Sequence, residues 1–151
     1  MTKPIFGQKL KTMLSKYLWM TGSLIIAGLG CIHLYLTFFT AAFSSTNENM
    51  IQQMKASSPV LSPAITMWKA WIGFNASHSS GLLFIGLLNF YIALRYFGTV
   101  QFDPLFFIIT ILTIGFYVWL AEKYWFNIPL LGVSMALICF VASFVLTLIN
   151  D

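Results

Sequence analysis

Along this chain the apolar residues run in four long blocks separated by polar intervals, and within each block the few polar residues recur at helical spacing. The blocks cover residues 18–42, 70–94, 104–121 and 128–149. At a rise of about 1.5 Å per residue, runs of this length cross the roughly 30 Å hydrocarbon core of a bilayer as α-helices. A backbone in lipid has to satisfy its own hydrogen bonds, which leaves the helix as the form for each block. The pattern predicts an all-α fold, a four-transmembrane-helix up-down bundle forming one integral membrane domain over residues 1–151. The connections at 96–103 and 122–127 are short, so consecutive helices are antiparallel neighbours.

Two further segments carry weaker patterns. Residues 5–17 place Phe6, Leu10, Met13, Leu14 and Tyr17 on one face, flanked by Lys9 and Lys16, with Pro4 in the first turn. This fits an interfacial basic segment over residues 1–17, or a basic leader without fixed structure, since so short a helix is marginal alone. The external loop at 43–69 is rich in Ser, Asn and Gln and carries Pro59 and Pro63. Within it, residues 49–55 could use Met50, Ile51 and Met54 as the apolar side of one short interfacial helix, against the alternative of a plain polar loop.

Composition removes the soluble classes. Only 8% of the residues are charged and 59% are hydrophobic, against roughly 25% charged in soluble domains. The net charge of +4 comes mainly from Lys3, Lys9, Lys11 and Lys16, which suits membrane lipid headgroups and not nucleic acid, because no basic patch with interleaved polar aromatics exists. Those lysines and Arg95 lie on one side of the four blocks, with Lys55, Lys69 and Lys123 on the other. The positive-inside rule then places both termini in the cytoplasm, in a bacterial-type cytoplasmic membrane. Trp19, Trp68, Trp71, Trp119, Tyr124 and Trp125 fall at block ends, where a headgroup belt is expected. Cys31 and Cys139 fall within blocks and read as buried small hydrophobes, not as a bridge.

Helix contacts in lipid concentrate small and hydrogen-bonding residues, because an apolar side chain gains nothing by turning inward. The first block aligns Gly22, Gly30, His33, Thr37 and Thr40. The second has two such rows, Gly73, Ser77 and Gly81 on one face and Asn75, His78 and Ser79 across from it. The third aligns Thr110, Thr113 and Tyr117, and the fourth Gly132, Ala136, Cys139, Ser143 and Thr147. Packing accounts for most of these. In the second block the glycine row is the one expected to meet a neighbouring helix at close range.

The histidines stand apart, since ionisable residues within a span are costly and functional by default. His33 and His78 lie at nearly the same depth, about 12 to 13 Å from the outer rim by helix rise, and Asn75 is one turn from His78. The candidate ligand-binding residues are therefore His33, Asn75, His78 and Ser79, in a shallow intramembrane polar pocket. Three readings stand: the residues are polar glue between helices; they bind a small ligand or handle protons; or His33 and His78 are the axial ligands of a single haem b. No other metal site is expected, because the layer offers only two good ligands. An accessory or assembly subunit of a larger membrane complex, or a homo-oligomer, is the alternative without chemistry of its own. Enzymatic acid/base work is not favoured: Asp103 and Glu122 sit at opposite faces and Glu48 in the loop, so no carboxylates pair across a bond. A Ser/His/Asp triad lacks its acidic member.

The run Trp68-Lys-Ala-Trp71-Ile-Gly73-Phe74-Asn75-Ala-Ser77-His78-Ser79, preceded by a first block with Gly28, Gly30 and His33, resembles a group of small bacterial four-span membrane proteins that share a Gly-Phe-Asn-x-Ser-His-Ser signature in the second helix. The resemblance implies the four-helix membrane fold and brings no assigned activity. His33, Asn75 and His78 carry over as signature positions only.

Overall fold

The computed structural model describes residues 5–149, so Lys3 and Pro4 lie outside the described residues. Those described form five α-helices and no strand: α1 (Ile5–Phe39), α2 (Glu48–Ala56), α3 (Met67–Val100), α4 (Pro104–Tyr124) and α5 (Asn127–Leu148). Four of them are long and apolar enough to cross a membrane. The basic stretch that opens α1 continues without a break into the first apolar block. The 35 residues of α1 extend about 52 Å, and the 34 of α3 about 51 Å.

Side chains mark where several helices begin and end. Asp103 caps α4 by accepting from the backbone N–H of Leu105 and Phe106 at 3.0 and 3.4 Å, and Pro104, which has no N–H to lose, takes the first helical position. Asn47 caps α2 by accepting from the N–H of Asn49. At the end of α1 the Thr40 hydroxyl donates to the carbonyl of Leu36 and accepts from the N–H of Ala42. That turn ends the helix at Phe39, short of the apolar block's end at Ala42.

Burial follows a three-four alternation along each long helix. On α3 the buried residues are Asn75, Ser79, Leu82, Gly86, Asn89, Ala93 and Phe97, and on α5 Val133, Ala136, Phe140, Ser143 and Thr147. Serine, threonine and asparagine therefore occupy the inside, while Ile109, Leu112, Phe116, Leu131 and Ile138 are exposed. This inversion of the aqueous pattern is stable only where lipid is the solvent, and it makes the chain an integral membrane protein.

The chain divides into two compact units, Met1–Gly28 with Phe84–Asp151, and Leu29–Leu83. The first unit is a four-helix packing of the beginning of α1, the end of α3, α4 and α5. Ser15 and Ser143 each donate a hydroxyl to the other's carbonyl at 2.8 Å. The Trp19 indole, 0% exposed, rests against Phe106, Phe107 and Phe140 with ring centroids 5.2, 4.5 and 4.6 Å away. Its N–H donates to Asn89 Oδ1 at 3.2 Å, and the Thr110 hydroxyl lies 3.2 Å from the same oxygen. Asn89 Nδ2 donates to its own helix at Ile85, which fixes the amide with the oxygen toward α1 and α4. Trp19 is thus a core residue and not part of a headgroup belt. Its length from the block's start suggested the belt, but the buried amide on α3 gives the indole N–H a partner that water would otherwise supply.

Close approach of helices in this unit occurs at Gly22 and Gly86. A Cβ at Gly22 would lie 3.1 Å from the Ala136 carbonyl and 3.2 Å from Cys139 Cβ, and one at Gly86 would enter the backbone of Ala27. On α4, Lys123 places its ammonium 5.4 and 5.5 Å from the ring centres of Trp119 and Tyr124. Both cysteines are free thiols, and Cys31 is exposed. The expectation that it is buried fails because its position on α1 is off the face that carries Gly22, Gly30 and His33.

Candidate functional site

Within Leu29–Leu83 the contact that positions everything else is Gly30 on α3. A Cβ there would fall 2.5 Å from the Leu83 backbone nitrogen and 2.8 Å from the Ser79 carbonyl oxygen, so only glycine lets α1 come this near. By contrast, nothing lies within 4 Å of a Cβ built at Gly73 or Gly81, and Ser77 is exposed. The row expected to form the close interface therefore faces away from these helices. Both rows of α3 have helical spacing, and spacing alone does not choose between them. The buried amides of Asn75 and Asn89 lie on one seam with Ser79 and Gly86, and they take the inside because an unpaired amide costs far more in lipid than an exposed glycine.

One turn beyond Gly30, His33 Nε2 sits 3.1 Å from Asn75 Oδ1. The Asn75 Nδ2 group donates to the Trp71 carbonyl at 2.9 Å, so its oxygen is the atom toward the imidazole. Since that oxygen only accepts, the network assigns the proton of this bond to His33 Nε2. The His78 ring approaches His33 edge-on, with centroids 5.6 Å apart and an interplanar angle of 69°. Phe43, in the loop after α1, stacks on His33 at 4.4 Å and 27°, and Phe74 lies parallel to His78 at 6.3 Å.

Three of the four predicted residues, His33, Asn75 and His78, thus come together. Ser79 is buried beside them but gives its hydroxyl to its own helix, 2.6 Å from the Asn75 carbonyl oxygen. Among the described residues, no three His, Cys, Asp or Glu side chains converge as a metal set. A haem iron held by His33 Nε2 would have to take the place of the bond from that nitrogen to Asn75 Oδ1.

Beside this cluster lies a cavity of about 390 Å³. Phe38, Phe39, Phe43, Trp68 and Trp71 form its aromatic walls, Thr37, Thr40 and Ser44 add hydroxyls, and Asn75, only 7% exposed, reaches it from within the cluster. No charged side chain lines it. Neither histidine ring is in the wall; Phe43 and Asn75 stand between the cavity and His33. The Trp71 indole donates to the Phe43 carbonyl at 3.2 Å, which ties the loop to α3. At the cavity's other aromatic edge Lys55 places its ammonium 5.6 Å from the Trp68 ring centre.

Sequence reasoning missed Phe43 and gave Trp71 no place in the site. Phe43 follows the helix end, where no periodicity points to a partner. Compared with protein-family models, curated proteins and solved structures, the chain matches none.

Proposed function

We propose that this chain binds an uncharged small molecule in the cavity beside His33, Asn75 and His78. The proposal includes a bacterial-type cytoplasmic membrane and both termini in the cytoplasm, supported by Lys9, Lys11, Lys16 and Arg95 on one side against Lys55, Lys69 and Lys123 on the other. The observation that carries the reading is the cavity itself: about 390 Å³, walled by aromatic rings and ending on a buried amide. Apolar walls with one or two fixed polar groups are the composition by which proteins hold and orient small ligands, and the volume falls at the lower end of the range for such sites, about 300 to 1,000 Å³. A charged ligand would lose its hydration with no counter-charge in the wall. Asn75 joins the two halves of the site, since one amide both faces the cavity and holds His33. On this reading the Asn75 and His78 positions of the signature run serve the site, and its Gly73 does not.

The test is thiol protection. Ser44→Cys, in a background with Cys31→Ala and Cys139→Ala, places one thiol in the cavity wall. Its reaction with N-ethylmaleimide is expected to slow when saturating n-decanol or duroquinone is added in nanodiscs, and to lose that protection in the additional variant Ala41→Trp. Failure of both probes to slow the reaction would refute ligand binding here.

A further inference from the structure

Resting on that reading of the cavity, we infer that its ligand is an uncharged planar ring carrying a carbonyl oxygen, the chemistry of a quinone. Three groups of observations narrow the class. The walls are mainly rings: Phe38, Phe39, Phe43, Trp68 and Trp71 line the space, against Ile72 as its one long aliphatic side chain. Phe43 has one face against His33, so a planar ligand against Phe43 extends an existing stack. Flat rings gain from such offset and edge contacts beyond the area they bury, whereas an acyl chain gains area alone.

The hydrogen-bonding groups ask for an acceptor. Asn75 Nδ2 carries two N–H groups and the bond to Trp71 uses one; the second is the donor a ligand oxygen takes. The Thr37 and Thr40 hydroxyl hydrogens are already committed to the carbonyls of His33 and Leu36. A ligand rich in hydroxyl groups, such as a sugar, would find few donors for its oxygens.

Charge removes the remaining alternative. Aromatic cages also take quaternary ammonium groups, but here the Trp68 face is already occupied by Lys55 and Lys69 is the next residue. A second cation in this place is repelled. An anion would find Lys55 only at the Trp68 edge, already held on that ring, and no cation in the lining itself.

Equilibrium dialysis of duroquinone against the full chain in nanodiscs, with empty nanodiscs as blank, tests the assignment. Saturable binding is expected, weakened about tenfold by Asn75→Leu, abolished by Ala41→Trp, and resistant to choline. Ala41→Trp fills the cavity without removing a hydrogen bond, so it remains informative if Asn75→Leu fails to fold. Tighter binding of decylubiquinone than of duroquinone assigns the ligand to the membrane pool of tailed quinones; equal binding assigns it to freely diffusing rings. If n-decanol protects Ser44→Cys while duroquinone does not bind, or binds unchanged in Asn75→Leu, the carbonyl-ring assignment is overturned and the cavity reading survives. If no probe protects Ser44→Cys, both fall.

Discussion

Gly30 and Gly81 are the same residue type in two apolar helices, and their surroundings give opposite expectations. Gly30→Leu would push a side chain into the Ser79 and Leu83 backbone, which has no rotamer to yield, so a loss of about 3 kcal/mol or more is expected. Gly81→Leu meets open space and gains helix propensity, so its stability should stay within about 1 kcal/mol of the parent. Denaturation of the two variants in detergent separates them; comparable losses would show that the Gly73, Ser77 and Gly81 row is packed after all. Asn89 is the second position where one atom decides. Its oxygen faces both the Trp19 indole and the Thr110 hydroxyl, and Asn89→Leu strands the indole N–H at a cost of about 1 to 2 kcal/mol. The double variant with Trp19→Phe should cost less than the sum of the two single changes. Strict additivity in that cycle would remove the hydrogen bond as the cause.

The helices owe their ends to side chains and their faces to polarity. Asp103 holds two first-turn N–H groups of α4, and Asp103→Ala should lower stability by about 1 kcal/mol while Asp103→Asn retains most of it. Thermal unfolding in detergent reads both; a full loss in Asp103→Asn would show that the charge matters and not the acceptor. The four apolar blocks were legible because twenty-residue runs without charge have one outcome in lipid. Their inward faces were legible on α5, where Ala136, Ser143 and Thr147 are buried as the stripe requires. On α3 two rows competed, and the seam through Asn75, Ser79, Gly86 and Asn89 would have been found by following both asparagines at three-four spacing.

Along the membrane-length helices the buried polar side chains lie inside with Trp19, Phe107 and Phe140, while many large apolar ones, Leu112 and Phe116 among them, face outward. A charge on an outer face should therefore disturb insertion before it disturbs packing. Leu112 is 67% exposed, and Leu112→Asp is expected to raise the insertion free energy by roughly 3 kcal/mol, against almost none for Leu112→Ile. A glycosylation-based insertion assay measures the difference; equal insertion would mean that this face of α4 is not in lipid. For orientation, Ser57→Cys in the background with Cys31→Ala and Cys139→Ala should react with a membrane-impermeant maleimide from outside the cell. Reaction only after permeabilisation would reverse the proposed topology.

The four membrane-length helices, the all-α class, the membrane as solvent and the histidines as the residues to watch were all readable from composition and period, because in hydrocarbon the backbone and the rare ionisable groups have so few permitted arrangements. The pairing of His33 with Asn75 was within reach of the same counting, since both lie on inward seams of the first two membrane-length helices. What no periodicity contains is the contact between segments: that Gly30 and not Gly81 is the point of approach, that Trp19 turns inward to Asn89, and that Phe43 folds back from the loop onto His33 to make the cavity wall. Each depends on distances between residues far apart in the chain, which packing sets and local pattern does not.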